Sequence, residues 1–174
     1  MRTVVLGPRP PELEALLKRR HALGQDLYDE LWAGDYHMVP VPHPSHGYFE
    51  HQVKGLLYPV VQRAGLFGSS PFNLGTQDDY RVPDGGIHRV QPSTTFVPTA
   101  AVVIEVMSPD DETWAKIDFY ASRSVDELLL VDSLKHSLTW LVLEGGHYTE
   151  RDSSRLLDVS SADLAGQIDW PAVS

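Results

Sequence analysis

Apolar positions along the chain recur at two periods, and the helical period predicts three of the main elements. Leu13, Leu16 and Leu17 fall at i, i+3, i+4 behind Pro11, a residue suited to a first helical turn, so residues 11–22 are predicted helical. A longer helix is predicted over 46–64, where Phe49, Val53, Leu56, Leu57, Val60, Val61 and Ala64 share one face. Ser45 reads as its N-cap and Gly65 as its stop. Pro59 lies inside it and predicts a kink or an end one turn earlier, because proline removes a helix donor. A third helix is predicted over 112–122, with Trp114, Ile117 and Ala121 on one side.

Continuous apolar runs of strand length mark the interior. Residues 100–107 (A-A-V-V-I-E-V-M) and 127–132 (E-L-L-L-V-D) read as strands buried on both faces. Ser108-Pro109-Asp110-Asp111 ends the first run, and residues 136–143 form a third strand. Gly145-Gly146 turns that strand into 147–150 as a hairpin. Upstream, residues 3–6 form a short strand, 28–41 two strands turned at Ala33-Gly34-Asp35, and 71–74 and 79–83 extended segments. The tail is predicted to hold a short strand at 156–159 and a helix at 162–168. With no repeat, low-complexity tract or linker, the reading is a single domain over 1–174, α/β or α+β, with a central sheet.

Composition narrows the chemistry. Hydrophobic residues are 42% of 174, which makes a globular fold the expectation. No apolar run approaches the ~20 residues that span a bilayer, and the N-terminus lacks the apolar stretch of a secretory signal, so no membrane partner is expected. The chain has no cysteine, which excludes disulfides, thiolate nucleophiles and cysteine-rich zinc sites and fits a cytoplasmic location. The net charge of −10 counts against tight non-specific binding of nucleic acid. It leaves room for an enzyme that holds its substrate locally through a metal.

Glu105 is the outlier, one carboxylate inside an apolar strand. Burying it unpaired is costly, so it needs a metal, a partner or a shifted pKa, unless it sits at an edge and faces water. Asp84, in R-V-P-D-G-G, reads alone as a turn residue. On a neighbouring strand it would join Glu105 as a pair of hard oxygen ligands suited to Mg²⁺. Lys116 shares a helix face with Glu112 and Tyr120, and is either a solvated ion pair with Glu112 or an ammonium aimed back over the Glu105 strand. His46 and Glu50 open the long helix four residues apart, either approaching such a site or serving as an ordinary helix start. His43, His46 and His51 cluster loosely, but no histidine spacing typical of zinc appears. Walker, Rossmann and G-x-S-x-G motifs are absent.

The order of these segments is distinctive: a helix opened by P-x-P-S-H-G, then R-V-P-D, V-V-I-E-V-M-S-P, E-x-x-x-K-x-x-x-Y, L-L-L-V-D and a hairpin at E-G-G-H-Y. With Y-D-E-L-W-A-G-D-Y-H-M-V-P-V-P upstream, residues 20–150 resemble the Uma-type putative restriction endonucleases, a branch of the PD-(D/E)XK nuclease superfamily. The resemblance implies a restriction-endonuclease-like mixed central sheet flanked by helices, with an N-terminal β-hairpin. It also implies hydrolysis of DNA phosphodiesters dependent on Mg²⁺ or Mn²⁺. Asp84 and Glu105, with the Val106 carbonyl, would hold the metal. Lys116 matches a lysine moved to the following helix, since Met107 stands where the parent pattern has it. His46 matches a histidine that opens the long helix, and Glu50 a helix glutamate that joins the site in some relatives. A homodimer is expected by analogy with enzymes that cut duplexes. A second reading, from another class, is a non-catalytic relative that keeps the fold for protein interaction or regulation; the acidic net charge favours it.

Overall fold

A computed structural model describes residues 3–7, 9–108 and 112–171. The described residues form two six-stranded mixed sheets and four helices, so the expected α+β class holds, with the strands divided between two sheets. The first sheet joins β1 (Thr3–Val5), β3 (Asp35–Met38), β2 (Glu30–Trp32), β6 (Asp79–Arg81), β5 (Asn73–Thr76) and β8 (Phe96–Val97), in that spatial order. The N-terminal hairpin is its β2–β3 pair, turned through Ala33 and Gly34, both at positive φ.

The second sheet runs β12 (His147–Arg151), β11 (Ser137–Glu144), β10 (Glu127–Asp132), β9 (Val102–Met107), β7 (Gly85–His88) and β4 (Phe67–Ser69). Only its β9–β10 pair is parallel, and the helix α3 (Thr113–Ser122) crosses between them. Side chains alternate across a strand. Val102, Ile104 and Val106 therefore pack with Phe49, Val53, Leu57 and Val61 of the long helix α2 (Pro44–Arg63). Val103 turns the other way, towards Phe119 and Tyr120 of α3. The same alternation puts Glu105 on the α3 face, in the middle of the molecule.

Several local expectations are corrected. Helix α2 begins at Pro44 with His43 as its cap, whose ring accepts the Ser45 N–H, because Pro44 already occupies the first helical turn. The helix continues through Pro59. The carbonyl left without a donor is that of Gly55, and both residues are exposed, so water can take the lost bond. No strand forms at 156–159. The N–H groups of Arg155 and Leu156 bond the buried Glu127 carboxylate at 2.8 and 3.2 Å, and that of Leu157 bonds Ser154 Oγ, so side chains replace a partner strand. The last helix, α4, spans Ser161–Ala165, shorter than expected. Helix α1 spans Pro11–Ala22 as predicted. Residues 109–111, read as the end of the β9 run, lie outside the described residues. Among the described residues no helix is long and apolar enough to cross a membrane.

Candidate active site

Asp84 immediately precedes β7, which pairs with β9 so that Gly85 faces Ile104. This places the Asp84 carboxylate beside the end of β9, where Oδ2 accepts the Val106 N–H at 2.7 Å. Its other oxygen, Oδ1, lies 2.8 Å from His46 Nε2 on the first turn of α2. Glu50, one turn further on, completes a cluster. One donor atom from each of His46, Glu50 and Asp84 lies within 4.8 Å of the other two. Among the described residues this is the cluster of three or more such groups.

Lys54 follows at the next i+4 position. Its ammonium bonds Glu50 and donates to the Asp84 backbone carbonyl at 2.6 Å. Gly85 makes this reach possible, because a Cβ there would come within 2.6 Å of Lys54 Cε. The spacing 46, 50, 54 therefore lays an imidazole, a carboxylate and an ammonium in a row along α2, all turned towards Asp84.

Glu105 starts a second, deeper cluster. It is 4% exposed and accepts hydrogen bonds from Tyr120 Oη and, at 3.3 Å, from Lys116 Nζ. Lys116 is 6% exposed, and its ammonium sits 2.9 Å from Glu30 on β2. Glu30 is itself tied down by the Val82 N–H at 2.9 Å and Trp32 Nε1 at 2.6 Å. Lys116 is thus a buried cation shared by two carboxylates rather than the partner of Glu112, which lies 3.6 Å from His37. Glu105 does not join the His46–Glu50–Asp84 triad at that spacing, though it neighbours Val106, which anchors Asp84.

Electrostatics couple the two clusters. Burial pushes the Glu105 carboxyl up to about 7; the Lys116 charge opposes this, and the Asp84 charge adds to it. Burial alone would lower His46, but its contact with Asp84 and the fields of Glu50 and Glu105 outweigh this and raise it. For Lys116, too, burial acts downward and the neighbouring carboxylates prevail, so it stays charged. Burial and the Glu105 charge hold Tyr120 protonated, as a donor. Glu30 is lowered: burial resists, but Lys116, the Val82 N–H and Trp32 together win. The site sets four carboxylates against two lysines and one histidine, an excess of negative charge that a divalent cation would offset.

The donor set of the triad, two carboxylates and one imidazole, fits a six-coordinate cation completed by water. The imidazole suits Mn²⁺ better than Mg²⁺, which favours an all-oxygen shell.

Of the residues singled out by sequence, the structure gathers His46, Glu50 and Asp84 in one group and Glu105 with Lys116 in the adjoining one. Sequence reasoning missed Lys54 and Glu30. Lys54 carried a legible signal, since it continues the i+4 row from His46 and Glu50. Glu30 carried none, because it meets Lys116 only through the tertiary fold.

Comparison with known proteins agrees with this fold. A family model described as "Uma2: Putative restriction endonuclease" matches residues 11–171. No curated protein matches the chain. Among solved structures, the putative nuclease belonging to DUF820 from Anabaena variabilis ATCC 29413 superposes with a TM-score of 0.61 at 15% identity. The match covers 80% of this chain and 90% of that one.

Proposed function

This chain belongs to the Uma2 family of putative restriction endonucleases, and on that footing we propose that it is a metal-dependent nuclease that hydrolyses phosphodiester bonds in DNA. The observation that carries the proposal is the convergence of His46, Glu50 and Asp84 within 4.8 Å, against the buried Glu105–Lys116 pair. Asp84, with His46 and Glu50 from α2, would hold the ion, and Glu105 stands in the adjoining cluster. A bound Mn²⁺ or Mg²⁺ would supply Lewis-acid stabilisation of the phosphate and a more acidic water.

The protein's own residues divide the remaining work. The Val106 N–H fixes the Asp84 carboxylate in place. Tyr120 and Lys116 orient Glu105 and offset its charge. Lys116 is buried between two carboxylates, which makes it a positioning residue. Lys54 is the more exposed cation, its side chain 23% accessible, and is placed to meet a substrate phosphate. Its ammonium can leave Glu50 once a cation neutralises that carboxylate.

The test is Mn²⁺ titration calorimetry together with nicking of supercoiled plasmid, on wild type and Asp84→Asn. Wild type should bind Mn²⁺ and nick the plasmid, and the variant should lose both. Nicking that survives in Asp84→Asn would overturn the assignment. A chain that binds Mn²⁺ without cutting DNA would favour the interaction-module reading.

A further inference from the structure

The row His46, Glu50, Lys54 on α2 continues by another turn to Tyr58, whose side chain is 61% exposed. Beside Lys54 and Tyr58, between α2, β4 and β7, lies a cavity of about 210 Å³. Leu57, Val61, Ile87 and Ile104 line its floor, each nearly fully buried. Lys54, Tyr58 and Ser69 form its rim. A shallower depression shares Lys54, Tyr58 and Ser70 with it and opens at Glu50. Gly47 and Gly55 face that depression, and neither has any heavy atom within 4 Å of where a Cβ would sit, so the helix wall is open there. A continuous trough therefore runs from the proposed metal ligands to an apolar seat.

Resting on the nuclease reading, we propose that this trough seats one unpaired nucleobase of the substrate strand beside the scissile phosphate. The chain would then act on single-stranded or frayed DNA in preference to intact duplex.

Shape and chemistry both favour a base. The seat is smaller than the ~300–1,000 Å³ of pockets for drug-sized ligands, which leaves room for one heteroaromatic ring system. An apolar floor suits the face of a base, and hydroxyls at the rim suit its polar edge. The Tyr58 ring is held by a hydrogen bond from Gln62 Nε2 to its hydroxyl at 2.7 Å and offers a stacking surface. The Ser69 hydroxyl is oriented by His88 Nε2 at 2.9 Å. Continuity through Lys54 links the seat to the phosphate position, since its ammonium contacts both Glu50 and the Asp84 carbonyl. The acidic balance of the chain points the same way. A long duplex needs many phosphate-neutralising cations along its path, whereas a single seated base draws on stacking and burial.

The experiment measures fluorescence anisotropy of a labelled thymidine oligonucleotide in Ca²⁺, alongside its duplex with the complementary strand and an abasic oligomer of equal length. Cleavage in Mn²⁺ is followed in parallel. Wild type should bind the single strand roughly tenfold more tightly than the duplex. Tyr58→Ala, and Gly68→Val placed to fill the seat, should each weaken single-strand binding by roughly tenfold and leave the abasic oligomer unaffected. Gly68 has open space at its Cβ position, so this second variant should fold normally. Equal binding of duplex and single strand, or no effect of either variant, would overturn the base seat while metal-dependent cleavage stands apart. Binding that depends on Tyr58 without any cleavage would support the seat and refute the nuclease reading.

Discussion

The Lys116 ammonium lies closer to Glu30, at 2.9 Å, than to Glu105, at 3.3 Å. Glu30 thus compensates a cation that would otherwise face Glu105 alone across a dry interior. Lys116→Met should strand two buried carboxylates and cost about 3–5 kcal/mol of stability, read as a fall in the urea midpoint. Adding Glu30→Gln to that variant should recover part of the loss. A single variant as stable as wild type would show that the pair contributes nothing.

His46, Glu50 and Asp84 form one cluster and Glu105 with Lys116 the adjoining one, which makes the ligand assignment testable one residue at a time. His46→Gln and Glu50→Gln should each weaken Mn²⁺ binding at least tenfold in calorimetry, because each removes one donor of the triad. Lys54→Met should leave Mn²⁺ affinity intact or improve it, since it removes a cation competing for Glu50, yet it should slow cleavage. If Glu50→Gln leaves Mn²⁺ affinity unchanged while Glu105→Gln abolishes it, the metal sits on the β9 side of Asp84 instead.

How much of this was readable beforehand follows the range of the interactions. Helical periodicity located α1, α2 and α3, continuous apolar runs located β9 and β10, and Gly145-Gly146 marked the β11–β12 hairpin, because each is set by its own local sequence pattern. The short strands β4, β7 and β8 were not legible: Gly85-Gly86 looks like a turn, and only pairing with β9 and β4 makes it a strand. Glu105 was legible as a charge out of place, and Asp84 only jointly with it. The division of the strands into two sheets depends on contacts between distant residues. So do Glu30 opposite Lys116 and Tyr120 over Glu105, and local pattern has no access to such contacts.

Glu105 also ties stability to pH. Its carboxyl titrates near 4.5 in an unfolded chain and is pushed up to about 7 by burial in the fold. Below the lower value both states are protonated and no penalty arises. As pH rises towards the higher value the unfolded chain releases its proton more readily, so this group makes the metal-free fold progressively less stable. Glu105→Gln should remove that decline, and its advantage over wild type in urea unfolding should grow from about pH 5 to about pH 8. A constant difference between the two proteins across that range would mean that Glu105 is ionised throughout in the fold.

Glu127 offers a control away from the site, because it is a buried carboxylate with a purely structural set of partners. It is 1% exposed, accepts from Ser154 Oγ at 2.5 Å and from the N–H groups of Arg155 and Leu156, and so ties the turn before α4 to β10 of the second sheet. Leu156 and Leu157 of that turn pack on the core under α2. Glu127→Ala leaves three donors to find water and should cost about 2–4 kcal/mol, given ~1–3 kcal/mol for a buried group left unsatisfied and more where the lost partner is charged. Hydrogen exchange should show the amides of 154–157 losing protection first. Mn²⁺ affinity, measured where the variant is still folded, should match wild type, because β9 and α2 keep their own packing. A parallel loss of metal binding would show that the turn supports the site, and the two clusters would then have to be treated as one cooperative unit with the C-terminal segment.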